Sequence, residues 1–477
     1  MQNIRPTFIL GLLVLAAAGL SGPAVAQEED TETNAQYRLL RQEETWHDAN
    51  GPNGKGLHAL KYRPVGAGRA AFVTVGGEVR TYARWYRNKG WGAGPDRERA
   101  VLQRLMLHGV LETPRRSGEA YARLFGQLRS GVVTGRAGPP YPTDRDLLGF
   151  NQAFLEVGAP LASGRSVLLR FGRQELHYGA GRMIAAREGP NVRLGYDAVL
   201  ARYVGDAWRA DAFVAKPTEA APGVFDNGWM PGRTLWGAYL RRQAARLSLA
   251  VYYLGTERAP SPQRRSLWAT RHTIGGRAYG QWGPVGYDLE GAVQVGLYQS
   301  MAAGDNRSGA IRAWTVAGRL TYRRSGSAGQ QAVGVLFDLS SGDVQDTERL
   351  ETFAAPYPSG RFTGAGSQLG PGNLINLGPF ATLPLPRTLS LTLKGHFFWR
   401  LRETGGTYAI WGASLRPVPS SSARFIGVMP EMALTWTAGP HTTLAVKASH
   451  FVPGQALEEN PPARGLTHVG LRATYKF

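Results

Sequence analysis

Apolar and polar side chains alternate along most of this chain. Leu389, Leu391, Leu393, Gly395, Phe397, Trp399 and Leu401 fall on one parity. Ser390, Thr392, Lys394, His396, Phe398, Arg400 and Arg402 fall on the other. Successive side chains of a β-strand point to opposite faces, so this period of two predicts a strand with one oily and one charged face. Its fourteen residues exceed the roughly 5–6 of an average globular strand and cover the roughly 9–11 that cross a bilayer at a tilt. Val73, Val75, Val79, Ala83 and Trp85 oppose Glu78, Arg80, Tyr82 and Arg84 in the same way. Ala122, Leu124 and Leu128 oppose Arg123, Gln127 and Arg129, while Val167, Leu169 and Phe171 oppose Arg170. Comparable runs occur near 101–112, 150–159, 198–215, 233–256, 271–300, 310–324, 330–342, 407–416, 427–438 and 441–452.

Turn chemistry separates these runs. Gly205-Asp206, Gly283-Pro284, Ser325–Gly329 and Gly439-Pro440 are short connections. Longer polar or Gly/Pro-rich inserts occupy 87–99, 134–149, 217–232, 257–270, 343–370 and 453–464. Short turns alternating with long loops are the signature of a transmembrane β-barrel, with turns on the periplasmic side and loops outside. The runs predict an all-β chain, an antiparallel barrel of about 18 strands. The 343–370 insert is a candidate gating or surface loop.

The two ends agree with a membrane destination. Arg5 followed by the apolar run Phe8–Leu20 and by Ala24-Val25-Ala26 predicts a cleaved secretory signal over 1–26. An acidic leader, 27–36, comes next, and the barrel is assigned to 37–477. At the other end Val469, Leu471, Ala473, Tyr475 and Phe477 share one face of a strand that stops on an aromatic residue. That ending resembles the closing strand of bacterial outer-membrane barrels, which implies recognition by the barrel assembly machinery. Outer-membrane lipid and lipopolysaccharide are then the expected surroundings, in a Gram-negative outer membrane.

Composition sharpens the picture. There is no cysteine, which excludes a disulfide scaffold and any thiol-based metal site or nucleophile. Sixty-two glycines and abundant Tyr, Trp and Phe suit turns and aromatic girdles. The formal net charge is +20, and the basic residues are almost all arginine. An arginine-favouring genome explains the choice of arginine over lysine, but not where the charge sits. Arg80, Arg84, Arg129, Arg170, Lys394, Arg400 and Arg402 lie on the face opposite the apolar residues, which in a barrel lines the lumen. A low-dielectric wall carrying one sign of charge concentrates counter-ions, so the expectation is an anion-selective channel. Replacing Arg400 or Arg402 by Glu is expected to weaken that preference, while Glu78, Glu156 and Asp211 are candidates for structural bridges to some arginines. Nucleic acid is a poor partner for an exported chain whose basic residues follow strand parity instead of forming one patch.

The densest polar block is 170–197. Arg173, Arg182, Arg187, Glu188, Arg193 and Asp197 fall there with Gly179, Gly181 and Gly189. Mixed charge with close glycines suggests a loop folded inward and held by ion pairs, narrowing the channel. At this block the chain resembles the alginate-export family of outer-membrane barrels. The run from Gly172-Arg173-Gln174-Glu175 through Gly181-Arg182 to Arg187-Glu188-Gly189-Pro190-Asn191-Val192-Arg193 and Asp197 carries the resemblance. Arg38–Glu44, Lys61-Tyr62, Gly76–Arg80, Tyr252–Gly255, Arg271–Thr273, Tyr287–Glu290 and Phe398–Arg400 add to it in order. The resemblance implies a monomeric barrel of 18 antiparallel strands with an electropositive, arginine-rich pore. It implies an alginate-like polyuronate, or another anionic polysaccharide or oligosaccharide, as substrate, with periplasmic export components as partners. A general anion-selective porin for small organic acids or oligosaccharides has the same lumen chemistry.

Enzymatic readings find little support. Gly-x-Ser-x-Gly, His-Glu-x-x-His and Walker-type loops are absent from the sequence. His177 and His272 are expected to be turn or lumen hydrogen-bonders, not metal ligands. Glu175 and Glu188 could be paired as in a glycosidase, but neighbouring arginines are expected to lower both carboxyls when a general acid needs one raised. A secreted β-rich polysaccharide-acting enzyme is therefore the weakest alternative. No catalytic residue, metal or cofactor is expected.

Overall fold

The computed structural model describes residues 37–46, 56–116, 118–136, 138–162, 164–259, 267–301, 307–326, 329–344, 348–416 and 422–477. The expected signal over 1–26 and the leader over 27–36 lie outside them. Among the described residues, eighteen long strands form the wall. They are β1 (Ala71–Arg87), β2 (Arg97–Glu112), β3 (Tyr121–Thr134), β4 (Asp146–Pro160), β5 (Ser166–Gln174) and β6 (Tyr196–Val204). Next come β7 (Trp208–Glu219), β8 (Arg233–Arg242), β9 (Ser248–Arg258), β10 (Leu267–Trp282), β11 (Val285–Ser300) and β12 (Ser308–Gly326). The last six are β13 (Gly329–Ser340), β14 (Leu374–Leu385), β15 (Leu389–Arg400), β16 (Phe425–Thr437), β17 (Thr442–Pro453) and β18 (Leu466–Lys476).

Each strand pairs antiparallel with the next, and β18 returns to β1 with Tyr475 opposite Val79 and Gly470 opposite Arg84. The sheet therefore closes with no free edge, which satisfies every wall backbone group internally. No helix among the described residues is long and apolar enough to cross a membrane. Alternation sorts the side chains as the sequence predicts. On β2, Leu102, Arg104, Met106, His108 and Val110 are buried inside, while Leu105, Leu107 and Leu111 are exposed outside. Outward apolar side chains such as Leu169, Phe171, Val214, Ile274 and Leu297 continue the band. Such a surface is unfavourable in water and matched to lipid.

The short connections, among them 205–207, 283–284 and 438–441, lie at the rim where the chain also ends. The long ones, among them 88–96, 135–145, 175–195, 220–232, 341–373, 401–424 and 454–465, lie at the opposite rim. Two element predictions need correction. The 407–416 run is not a wall strand: Thr407–Tyr408 and Ser414–Arg416 pair only with each other inside a long connection. The wall strand missed by the sequence is β14, where Pro379 and Pro384 remove amide donors and Gly378 interrupts the pattern. Its pairing to β15 skips Gly378 and Pro379 and resumes at Phe380 opposite Lys394.

Candidate functional site

The 175–195 connection folds into the barrel. Near its start Gly172, with φ +126°, lets β5 press close to β4; a Cβ would stand 2.4 Å from the Ala153 carbonyl oxygen. Beyond it Met183, Ile184, Ala185 and Ala186 are buried. Apolar burial draws the loop inward, where Ile184 bridges Tyr357 of the 341–373 connection. Met183 and Ile184 join Leu176, Tyr196, Leu200, Phe213, Leu235, Tyr252 and Phe353 in an apolar core against β6–β9. The other half of the loop is polar and faces β1–β4.

That polar half is a hub of ion pairs. The Glu188 carboxylate takes Arg80 at 3.5 Å and Arg193 at 3.4 Å, and Arg104 also pairs with it. Arg104 is shared with Glu78, donating from Nε at 2.9 Å, and Arg193 with Glu175 at 2.8 Å. Arg80 further donates to the carbonyl oxygens of Glu188 (2.6 Å) and Pro190 (2.8 Å). Asn191 is wholly buried and donates from Nδ2 towards the carbonyl oxygens of Gln103, Val132 and Asp144. Arg129 holds Asp146 at 2.5 Å and donates to the Arg193 carbonyl oxygen at 3.0 Å. Arg182 crosses the lumen to pair with Asp338 on β13.

The remaining candidates separate. Arg84 donates to Asp144 at 3.1 Å, Arg170 grips Glu156 at 2.9 and 2.5 Å, and Lys394 stands 3.9 Å from Glu431. Arg187 is half-buried at φ +52°, its guanidinium 5.8 Å from the Tyr357 ring centre, and it makes no ion pair among the described residues. Burial pushes its pKa down, since no carboxylate offsets the desolvation. Arg400 is fully buried, and its donors go to the main-chain oxygens of Ala423, Glu403 (2.6 Å) and Gly405 (3.0 Å). Arg402 is exposed at the long-loop rim. Arg173 and Asp197 need correction as lumen residues. They form a bidentate pair at 2.8 and 3.0 Å, but share parity with Phe171 and Val199 and so face outward. The polar block placed them inside; strand parity overrules it.

The bridging carboxylates named from sequence are occupied: Glu78 by Arg104, Glu156 by Arg170, and Asp211 by Arg202 at 2.8 Å. His272 accepts or donates with the Tyr253 hydroxyl at 2.8 Å, and His177 accepts from the Ala186 amide. One electrostatic expectation fails. Burial raises the Glu175 carboxyl despite Arg193 beside it, because this group is sealed under the hub. Sequence reasoning overlooked Arg104 because both faces of β2 carry leucine or methionine around it.

It also overlooked how Tyr37–Trp46 is used. This segment lies inside the barrel at the short-turn rim, buried at Tyr37, Leu39, Leu40, Arg41, Gln42, Glu44 and Trp46. Arg41 donates to the main-chain oxygens of Gly77 (3.1 Å) and Phe477 (2.9 Å). Burial alone would push the Glu43 carboxyl up, but Arg209 and Arg202 hold it down to about 2. Lys61, over the Trp46 ring and donating to the Val75 carbonyl oxygen, is lowered by burial to about 8.

The comparisons with known proteins fit this architecture. The family model described as alginate export matches residues 72–469. A search of curated proteins found no match. Among solved structures, Pseudomonas aeruginosa OccK2 (OpdF), crystallised with glucuronate, aligns at TM-score 0.56 and 10% identity over 85% of this chain and 98% of its own. Acinetobacter baumannii OccAB3 aligns at TM-score 0.56 and 10% identity, over 85% and 99%. Pseudomonas aeruginosa OccK8 (OprE) aligns at 0.53 and 11%, over 85% and 98%. At these identities the likeness is one of fold.

Proposed function

The chain belongs to the alginate-export family of outer-membrane barrels, and from that footing we propose that it is an anion-favouring channel for acidic saccharides, an alginate-like polyuronate foremost. Its place is the Gram-negative outer membrane, with the short turns in the periplasm and the long loops outside. The observation that carries the reading is a set of guanidinium groups kept inside with no carboxylate at ion-pair distance. Among the described residues, Arg123, Arg187 and Arg271 make no ion pair. Burying an unpaired cation is costly, and a passing carboxylate offsets that cost. Guanidinium forks bind carboxylates bidentately, and ring faces such as Tyr357 under Arg187 suit the apolar face of a sugar. Nothing in this chemistry calls for a catalytic group, and the protein acts as a conduit.

A second reading, uptake of single sugar acids or other small organic anions, draws on one feature. At the outer rim Arg233, Arg258, Arg271, Tyr357 and Tyr408 line a cavity of about 170 Å³, too small for several linked rings. The structural neighbour solved with glucuronate points the same way. Reversal potentials in planar bilayers, with alginate oligomers or glucuronate added, test both readings. Anion-selective current blocked by oligomers at far lower concentration than by the monomer supports the polyuronate channel. Equal block by monomer moves the assignment to small acids, and cation selectivity ends both.

A further inference from the structure

The segment Tyr37–Trp46 lies inside the barrel at the short-turn rim, and some of the groups it presents there match those of an acidic saccharide. Its wall partners, Gly77, Arg123, Arg202, Arg209, His441 and Phe477, come from six places around the short-turn rim. Its inner partners belong to the hub: Gln42 donates to the Glu175 carbonyl oxygen at 3.2 Å, and Leu39 and Leu40 pack on Ala186. Three of the acceptors it offers are taken by wall or hub arginines, while Gln42 Oε1 accepts from Gln152 at 3.0 Å. Arg193 donates to the Leu39 carbonyl oxygen at 3.0 Å and Arg123 to that of Gln42 at 2.7 Å. The Glu43 carboxylate lies 3.5 Å from Arg202 and 3.3 Å from Arg209. Arg202 and Arg209 both also hold Asp211, so two cations face two carboxylates while Glu43 is docked. Its withdrawal leaves one positive charge in excess at the channel mouth.

We propose that Tyr37–Trp46 is a displaceable stopper that occupies, as an internal mimic, an arginine track built to take the carboxylate and oxygens of an acidic saccharide. This rests on the channel reading above and adds the location of a carboxylate subsite, Arg202 with Arg209, and the element that guards it. A saccharide carboxylate arriving from the periplasm replaces Glu43 between the two guanidinium groups. Saccharide hydroxyl or ring oxygens replace the two carbonyls on Arg123 and Arg193. The contacts an anion can replace are those of Glu43 and of the Leu39 and Gln42 carbonyls; the Arg41 donors and the Tyr37 hydroxyl hold the segment's ends to the wall independently of them.

The full chain lacks cysteine, so an introduced thiol is unique. Gln42→Cys serves as a reporter at a buried position, labelled by a small methanethiosulfonate in liposomes while chloride conductance is read in planar bilayers. Labelling is expected to accelerate about tenfold with alginate oligomers and not with neutral dextran, a change of about 1.4 kcal/mol in docking. Glu43→Gln on the same background is expected to raise the resting rate and the open probability by about tenfold without added saccharide. A Gln42→Cys/Gln152→Cys pair, whose parent amides touch at 3.0 Å, should be silent when bridged by a short bis-methanethiosulfonate and conduct on reduction. A bridged pair conducting like wild type overturns the stopper. Labelling indifferent to alginate, or equally raised by dextran, overturns the carboxylate mimicry. Should the double variant not fold, a Glu43→Gln variant with unchanged conductance and labelling overturns the proposal alone. A cation-selective wild-type current is a separate outcome that removes the channel reading itself.

Discussion

Two arginines that the sequence places in the lumen have opposite roles, and the difference is what their donors meet. Parity alone turns Arg400 inward, and the charge pattern around it suggested a selectivity residue. In the fold its donors are spent on three main-chain oxygens of the 401–424 connection, two of them within five residues and one 23 residues away. Arg400→Gln should therefore lower the temperature at which the folded band is lost on semi-native gels, reflecting about 2–4 kcal/mol of unpaired buried carbonyls, and leave ion selectivity unchanged. A selectivity change with no thermal shift would return Arg400 to the conducting path. Arg187 is the contrasting case: inside, unpaired among the described residues, and over a tyrosine ring. Arg187→Gln should cut the chloride-to-potassium permeability ratio by about threefold with the gel shift intact. The sequence showed both residues as basic and placed one in a loop, but carbonyl partners leave no trace in side-chain pattern. Arg173 and Asp197 show the converse, since their parity was readable against Phe171 and Val199 and the density of the block obscured it.

Among the elements, legibility followed how far the strand pattern is local. The β15 run was readable because its two faces differ in chemistry at nearly every residue; β14 was hidden because Pro379 and Pro384 resemble loop residues. Antiparallel pairing on both sides tolerates them where the amide donor is not needed. The inward fold of 175–195 was foreshadowed by mixed charge and glycine, whereas the docking of Tyr37–Trp46 was not. Its anchors lie on strands remote in sequence, and a ten-residue segment has no periodicity of its own. Its pH behaviour follows from Glu43, which faces Arg202, Arg209 and Arg170, with Asp211 on the same arginines. The docked carboxyl is held at about 2 against an ordinary 4.5, so its contribution to docking is complete above pH 4.5 and is lost as pH falls towards 2. The gap in open probability between wild type and Glu43→Gln should stay constant from about pH 7 to 5 and narrow below that. Glu44, raised by burial, titrates in both proteins and cancels from the comparison. A gap already closing above pH 5 would mean that another group holds the segment.

At the scale of the whole molecule, closure of β18 on β1 lets one rule, parity, govern both surfaces, so the chain's alternation and its turn-and-loop rhythm were enough to anticipate the wall. What they could not supply is the content of the barrel, because loops and the segment before the first strand choose partners from the far side. That filling changes how the net charge of +20 should act. In an open pore, charge spread along the wall would select ions through a diffuse field. Here many inward arginines are neutralised by Glu78, Asp146, Glu156, Glu188, Asp211 and Asp338 at ion-pair distance. On the anion-channel proposal, selectivity then falls to the few inward cations without an ion pair among the described residues, which act at contact range. The two regimes respond differently to salt, since the screening length shrinks from about 10 Å at 0.1 M to about 3 Å at 1 M. A diffuse field loses its preference over that range; cations at contact, partly shielded from solvent, retain most of it. Permeability ratios measured at matched gradients should therefore fall by less than about twofold between 0.1 and 1 M potassium chloride in wild type. In Arg187→Gln the ratio should fall more steeply between 0.1 and 1 M than in wild type, because one contact-range cation is lost while Arg123 and Arg271 remain. A wild-type ratio collapsing to unity at 1 M would assign selectivity to the distributed charge and make the paired arginines, not Arg187, the determinants.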